Sequence, residues 1–88
     1  MVRNMKAYVL ITARRGAAYK LAETLRKAKN VTSSECVYGR FDVITIVESS
    51  DMKTLSRVVN QIQEYPQIIH TETAFSHLAE DTESETSE

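Results

Sequence analysis

Asp42 is the carboxylate in this chain whose surroundings point most directly to ligand chemistry. It follows the segment Gly39-Arg40-Phe41 and precedes the branched apolar run Val43-Ile44-Thr45-Ile46-Val47. Burying a carboxylate costs free energy unless a hydrogen-bond donor meets it. Backbone amides of a turn and a ligand ammonium are both suitable donors. An α-amino acid carries an ammonium and a carboxylate on one carbon, so it matches a carboxylate that lies beside backbone amides.

Gly39 predicts a tight hairpin before Asp42, because glycine adopts a positive φ at little steric cost. A two-residue Gly39-Arg40 connection would fold Tyr38 back onto Phe41.

Thr71 and Thr73 add polar groups to the last predicted strand. Strand alternation places these threonines on one face and His70 and Glu72 on the other. Together with Asp42 they predict a polar rim at one end of a sheet. The alternative remains open that Asp42 only accepts turn amides and that the threonines only fill strand positions.

No residue pattern predicts catalysis, a metal site or a cofactor. His70 and His77 are seven residues apart, which points them to opposite faces of a strand. Cys36 is the only cysteine, so it forms no intrachain disulfide and is expected to be a buried small side chain. Two distant glycines do not form a phosphate-binding loop. The expectation is a protein that is not an enzyme.

Residue periodicity predicts six elements in the order β-α-β-β-α-β. The predicted strands are 6–13, 31–38, 41–48 and 68–76. The first helix has an apolar face and ends near Asn30, and the second follows a cap within Ser49-Ser50-Asp51 and stops at Tyr65-Pro66. The two apolar faces consist of Ala18, Leu21, Ala22, Leu25 and Ala28, and of Leu55, Val58, Val59 and Ile62.

This order predicts a ferredoxin-like α+β fold, with a four-stranded antiparallel sheet and both helices on one face. The central strands are apolar on both sides, since Tyr8, Leu10, Ile44 and Ile46 point away from the helix side. Exposed apolar areas of this size are rare on monomers. The sequence therefore predicts a homodimer that pairs the open sheet faces, as in dimeric α+β barrels.

Charge divides the chain into a predicted domain, residues 1–78, and a disordered acidic tail, residues 79–88. The tail contains five acidic and no basic residues, which leaves 11 basic and 7 acidic residues in the domain. No dense basic run predicts direct DNA binding. The apolar run 7–13 is too short for a signal sequence or a membrane span, so a cytoplasmic protein is expected.

With these residues in place, the chain resembles the ligand-sensing (RAM) domain of the Lrp/AsnC transcription regulators. Val37-Tyr38-Gly39-Arg40-Phe41-Asp42 is similar to the family's V-x-G-x-x-D hairpin, and Ile69 to Thr73 is similar to its V-x-x-T-x-T strand. The resemblance extends from Lys6 to about His77. No helix-turn-helix segment precedes it here, so a stand-alone sensing domain is expected.

The resemblance implies sheet-paired dimers that assemble into octamers or decamers and bind an amino-acid effector between dimers. It implies backbone contacts from Gly39, Arg40 and Phe41, an ammonium contact from Asp42, and a pocket lined by Thr71 and Thr73. Arg40 stands where the family usually has a small or acidic residue, and Phe41 replaces a common tyrosine. The resemblance therefore implies that Arg40 either alters the charge preference for the ligand or occupies the pocket itself. Co-assembly with DNA-binding paralogues would link the domain to transcription.

Two other functions remain open. A small dimeric α+β barrel enzyme would need a pocket inside the sheet, and an ACT-like regulatory domain would pair its sheets side by side.

Overall fold

The computed structural model describes residues 4–77 as one four-stranded antiparallel sheet with two helices. The elements are β1 (Met5–Ala13), α1 (Ala18–Arg26), β2 (Val31–Cys36), β3 (Val43–Ser49), α2 (Met52–Ile62) and β4 (Ile68–His77). The strand order is β2-β3-β1-β4. The predicted element order and the ferredoxin-like fold class are therefore confirmed.

The core lies between the helices and one face of the sheet. The central strands bury alternate residues there, and both helices pack their predicted apolar faces against them. The fully or almost fully buried apolar residues are Ala7, Val9, Ile11, Ala13, Leu21, Ala22, Leu25, Val43, Val47, Leu55, Val59 and Ile62. Thr45 interrupts this apolar pattern, but its hydroxyl lies 3.0 Å from the buried Ser34 hydroxyl.

The opposite face of the sheet has no helix over it in residues 4–77. Tyr8, Leu10, Ile44 and Ile46 alternate with the buried positions and are only half-buried. The predicted open face is thus present, and apolar side chains occupy its centre. Neither helix in this part of the chain has the length and apolarity needed to cross a membrane.

The two helices start differently. Asp51 caps α2, because its carboxylate accepts the backbone N–H groups of Lys53 and Thr54 at 3.2 and 3.1 Å. Hydrogen bonds from Thr54, first from its hydroxyl, hold the pKa of Asp51 below its usual value. At α1 the cap residue is Ala17, which offers no side-chain hydrogen bond.

Each end of the sheet gathers loops that are distant in sequence. Since β1 and β2 both pair antiparallel with β3, they run in the same direction. The upper edge, as named here, contains segments 14–17, 37–42 and 63–67. The lower edge contains segments 27–30 and 49–51 and the end of β4 at His77. α1 ends at Arg26, four residues before the predicted end near Asn30, and Asn30 has a left-handed φ of 72° in the turn that leads into β2.

Candidate functional site

The hairpin between β2 and β3 is wider than the sequence predicts. Cys36 and Val43 form the last strand pair, and the Val37 N–H donates to the Asp42 carbonyl at 2.9 Å. Four residues, 38–41, therefore form the loop, and the predicted two-residue turn is wrong. The positive φ expected at Gly39 is confirmed at 139°. Asp42 is bonded on both sides, because its N–H also donates at 2.8 Å to the Ile11 carbonyl of β1, and these bonds leave only 38–41 for the loop.

The side chains of this loop also differ from the prediction. Tyr38 is fully exposed and is not folded onto Phe41. Instead, the Arg40 guanidinium carbon lies 5.8 Å from the centroid of the Phe41 ring, within the range of a cation–π contact. Cys36 is exposed rather than buried, because it is the last residue of the outer strand β2.

A backbone amide of β1 meets the Asp42 carboxylate. The Ala13 N–H donates to Asp42 Oδ2 at 2.8 Å, and the β1–β4 register shifts between Thr12 and Ala13. The donor is therefore an amide from another strand rather than from the turn. Within residues 4–77, no hydrogen bond reaches the other carboxylate oxygen, and the single ion pair found there joins His70 to Glu72. Asp42 is thus held in place with one oxygen open to a further donor.

A cleft of about 300 Å³ opens beside Asp42 and is called the hairpin cleft here. One wall is the end of β2 with the hairpin, and the other is the start of α1. The lining residues are Gly16, Ala18, Tyr19, Cys36, Val37, Tyr38 and Asp42. The first residues of α1 line the cleft, and no side chain caps this helix. The positive end of the helix dipole therefore lies beside a cleft that also contains a carboxylate. The two walls offer opposite electrostatic character to a small ligand.

Sequence analysis missed Gly16 and Tyr19 as cleft residues. Tyr19 is an exposed aromatic side chain outside the apolar face of α1, and Gly16 has a φ of 79° in the turn before that helix. The signal was present in the topology. Two strands that run in the same direction end at the same edge of a sheet, so the loops that follow β1 and β2 must be neighbours.

Thr71 and Thr73 lie on β4, separated from the hairpin by β1. Thr71 is opposite Ile11 and Thr73 is opposite Val9, so the two threonines share one face as predicted, and that face is the helix side of the sheet. Two strand spacings, about 10 Å, separate β4 from β3. Within one chain, the structure therefore groups Gly39, Arg40, Phe41 and Asp42 but leaves the threonines on the far side of β1.

The other polar residues of β4 behave as alternation predicts. His70 Nε2 lies 3.7 Å from Glu72 Oε2, on the face opposite the threonines. The Thr73 Oγ1 atom is buried and has no hydrogen-bond partner within residues 4–77. That same part of the chain contains no group of three or more His, Cys, Asp or Glu side chains placed to hold a metal ion.

Solved structures with this fold include small chains of similar length. A hypothetical protein from Pyrococcus horikoshii, PHS023, superimposes with a TM-score of 0.78 at 27% identity, over 82% of this chain and 88% of that one. TTHA0845 from Thermus thermophilus superimposes with a TM-score of 0.75 at 29% identity, over 82% of this chain and 91% of TTHA0845. AsnC from E. coli gives 0.73 at 19% identity, over 92% of this chain but 55% of AsnC, which shows the shared fold.

No curated protein matches the sequence significantly. A sequence model described as the Lrp/AsnC ligand binding domain, however, matches residues 6–82, which is most of the chain. That match continues past the predicted domain end at residue 78, and the predicted tail lies outside the described residues. The solved structures share the fold, and the family match over most of the sequence shows that the chain belongs to the Lrp/AsnC ligand-binding-domain family of transcription regulators.

Proposed function

We propose that this domain senses a free amino acid, or a similarly small zwitterion, at the hairpin cleft and passes the signal on by assembling with other copies. The observation that carries the proposal is the Asp42 carboxylate. It is held at Oδ2 by the Ala13 amide, lines a cleft large enough for a small ligand, and has no cation partner in residues 4–77.

The proposed pose follows from the two walls of the cleft. The ligand ammonium donates to Asp42, and the ligand carboxylate lies toward Gly16 and the start of α1. Gly39, Arg40 and Phe41 do not line the cleft themselves, and we place their loop backbone next to the ligand because they join the lining residues Tyr38 and Asp42. The Arg40 guanidinium lies over the Phe41 ring, and its positive charge, two residues from Asp42, favours ligands with an acidic or neutral side chain.

Assembly is the proposed output. The half-buried apolar residues of the open face support a dimer formed sheet to sheet. Because β1 separates Thr71 and Thr73 from Asp42 within one chain, we place these threonines in the pocket of a neighbouring copy, as dimers join into octamers or decamers. Co-assembly with DNA-binding members of the family would couple this to transcription in the cytoplasm.

The test is a thermal melting series with each of the twenty amino acids at millimolar concentration, paired with light scattering to measure oligomeric mass. A ligand at 100 times its Kd adds about 2.7 kcal/mol to the free energy of unfolding, which is a large shift for a domain of this size. We expect at least one amino acid to raise the melting temperature and to change the mass. A series in which none does either rejects the sensing proposal.

A further inference from the structure

A second and larger cleft lies on the helix side of the molecule, away from the hairpin. It has a volume of about 460 Å³ and runs between the end of α1 and the length of α2. We call it the interhelical groove. Its lining residues are Ala28, Lys29, Asn30, Thr54, Arg57, Val58, Gln61, Ile62 and Tyr65. From Thr54 to Ile62 it follows α2 for about 12 Å, at the rise of a helix.

The groove has an apolar floor and basic sides. Val58 and Ile62 are half-buried and buried, whereas Lys29 and Arg57 are exposed. Among residues 4–77, neither of these two cations has a carboxylate within 4.0 Å. Asp51 is the acidic residue at the start of the same helix, and its carboxylate is engaged in capping α2. The groove therefore presents positive charge to an anionic partner.

Residues 79–88 of the same chain have the complementary charge. The segment Ala-Glu-Asp-Thr-Glu-Ser-Glu-Thr-Ser-Glu contains five carboxylates and no basic residue. The rest of the chain carries 11 basic and 7 acidic residues, so the segment and the domain attract each other.

The topology brings the end of β4, after which this segment follows in the sequence, close to the start of α2. β4 ends at His77, which pairs with Met5, and Met5 also pairs with Ser49, just before α2. Two strand spacings, about 10 Å, separate the end of β4 from the end of β3. Eleven residues, 78–88, reach up to about 36 Å when extended. The segment is therefore long enough to follow the groove from the lower edge along α2.

We propose that the acidic segment 79–88 binds in the interhelical groove of its own chain, with its carboxylates against Lys29 and Arg57. The contact neutralises the basic end of the domain and excludes other polyanions from it. Binding in the groove does not depend on the hairpin cleft, since the two clefts share no lining residue.

Zero-length carbodiimide crosslinking of the full chain, read by mass spectrometry, tests this contact because it joins an amine only to a carboxylate that touches it. In about 50 mM salt we expect Lys29 to be joined to carboxylates of 80–88 at least tenfold more than Lys20, an exposed lysine near the upper edge. The Lys29 yield should fall severalfold in 0.5 M NaCl, where screening is stronger. Arg57→Glu should also lower it severalfold, while Arg15→Glu, the same charge change at the upper edge, should leave it unchanged.

¹⁴N- and ¹⁵N-labelled protein, mixed in denaturant and refolded together so that each oligomer contains both labels, identifies the chain that supplies the segment. Crosslinks whose two peptides always carry the same label confirm binding within one chain. Mixed-label crosslinks would place the segment on a neighbouring copy and overturn the proposal. Equal yields at Lys29 and Lys20, or a Lys29 yield that Arg57→Glu does not change, would also overturn it.

Discussion

At the scale of single residues, Asp42 combines a structural hydrogen bond with an open oxygen. The Ala13 amide fixes the direction of the carboxylate before any ligand arrives, so little conformational entropy is lost when an ammonium binds. The carboxylate is thus preorganised for binding. Replacing one of its oxygens with an NH₂ group separates its structural role from its role in ligand binding.

Asp42→Asn separates these two roles. An asparagine oxygen still accepts the Ala13 N–H, but its NH₂ group cannot accept an ammonium. We expect the melting temperature without ligand to change little and the amino-acid-dependent shift to disappear, as measured by thermal melting. Glu35→Gln is the matched control, because it neutralises an exposed carboxylate on β2 outside the cleft. A full ligand response in Asp42→Asn would exclude Asp42 from the site.

The unpartnered hydroxyl of Thr73 makes a second prediction at this scale. Replacing it with valine keeps the shape and removes a buried polar group, so Thr73→Val should stabilise the isolated domain by about 1 kcal/mol. Thr45→Val should instead destabilise it by about 1–3 kcal/mol, because it orphans the Ser34 hydroxyl. Denaturant unfolding measures both. Destabilisation by Thr73→Val, with loss of assembly, would mean that a neighbouring copy supplies the missing partner.

Asp51 makes the stability depend on acidic pH. Its pKa in the folded protein is below the ordinary value of 3.8, mainly through hydrogen bonds from Thr54. The stabilisation is therefore fully present above pH 3.8 and is lost as pH falls through the lower folded pKa. Unfolding of wild type and Asp51→Asn, compared between pH 6 and pH 2, should show the difference between them shrink below pH 3.8. A constant difference over this range would contradict the pKa assignment.

At the scale of elements, the hairpin and the turn before α1 depend on two glycines with positive φ. Gly39 has a φ of 139° and Gly16 a φ of 79°, and a Cβ atom at either would meet no atom within 4 Å. Any cost of substitution is therefore conformational rather than steric. The two loops form opposite walls of the hairpin cleft, so the backbone at these glycines shapes the site.

Gly39→Ala should cost about 1–3 kcal/mol, because its φ lies outside the left-handed region that other residues visit. Gly16→Ala should cost less, about 1 kcal/mol, because its φ is near that region. Chemical unfolding measures both values. Equal costs, or no cost for Gly39→Ala, would indicate that the loop relaxes to another conformation. The ligand response of Gly39→Ala would then show whether binding in the cleft requires the loop conformation described above.

At the scale of the whole molecule, the helices cover one face of the sheet and leave the other face open. The helices fill one face with the core, while the other presents Tyr8, Leu10, Ile44 and Ile46 half-buried. A domain this small buries only about 60–65% of its unfolded surface, so burial of the open face against another copy would add a large share of its stability. Self-association and folding should therefore be coupled.

Ile44→Lys tests this coupling by placing a charge at the centre of the open face. We expect the oligomer to dissociate and the melting temperature to fall, measured by light scattering and thermal melting at matched concentrations. Thr24→Lys adds the same charge to the exposed side of α1 and should change neither. An Ile44→Lys protein with the wild-type mass would show that copies associate through another surface.

The sequence alone determined the element order, the fold class and the two-sided character of the sheet. These features follow from local periodicity. Helical spacing from Leu21 to Leu25 indicates a helix with one buried face, and strand alternation at Val43 and Ile44 indicates a strand with apolar residues on both faces. The motif around Gly39 and Asp42 also identified the family, because it is carried by residues adjacent in the chain.

Only the tertiary structure decided how that motif is built. Several features depend on segments that are distant in sequence and meet at the upper edge. They are the hydrogen bond from the Ala13 amide to Asp42, the four-residue loop, the exposed Cys36 and the wall formed by Gly16 and Tyr19. The separation of Thr71 from Asp42 by β1 depends on strand order. Local patterns do not encode these contacts, because pairing with β1 brings together residues 32 to 72 positions apart, and only their packing fixes distance and exposure.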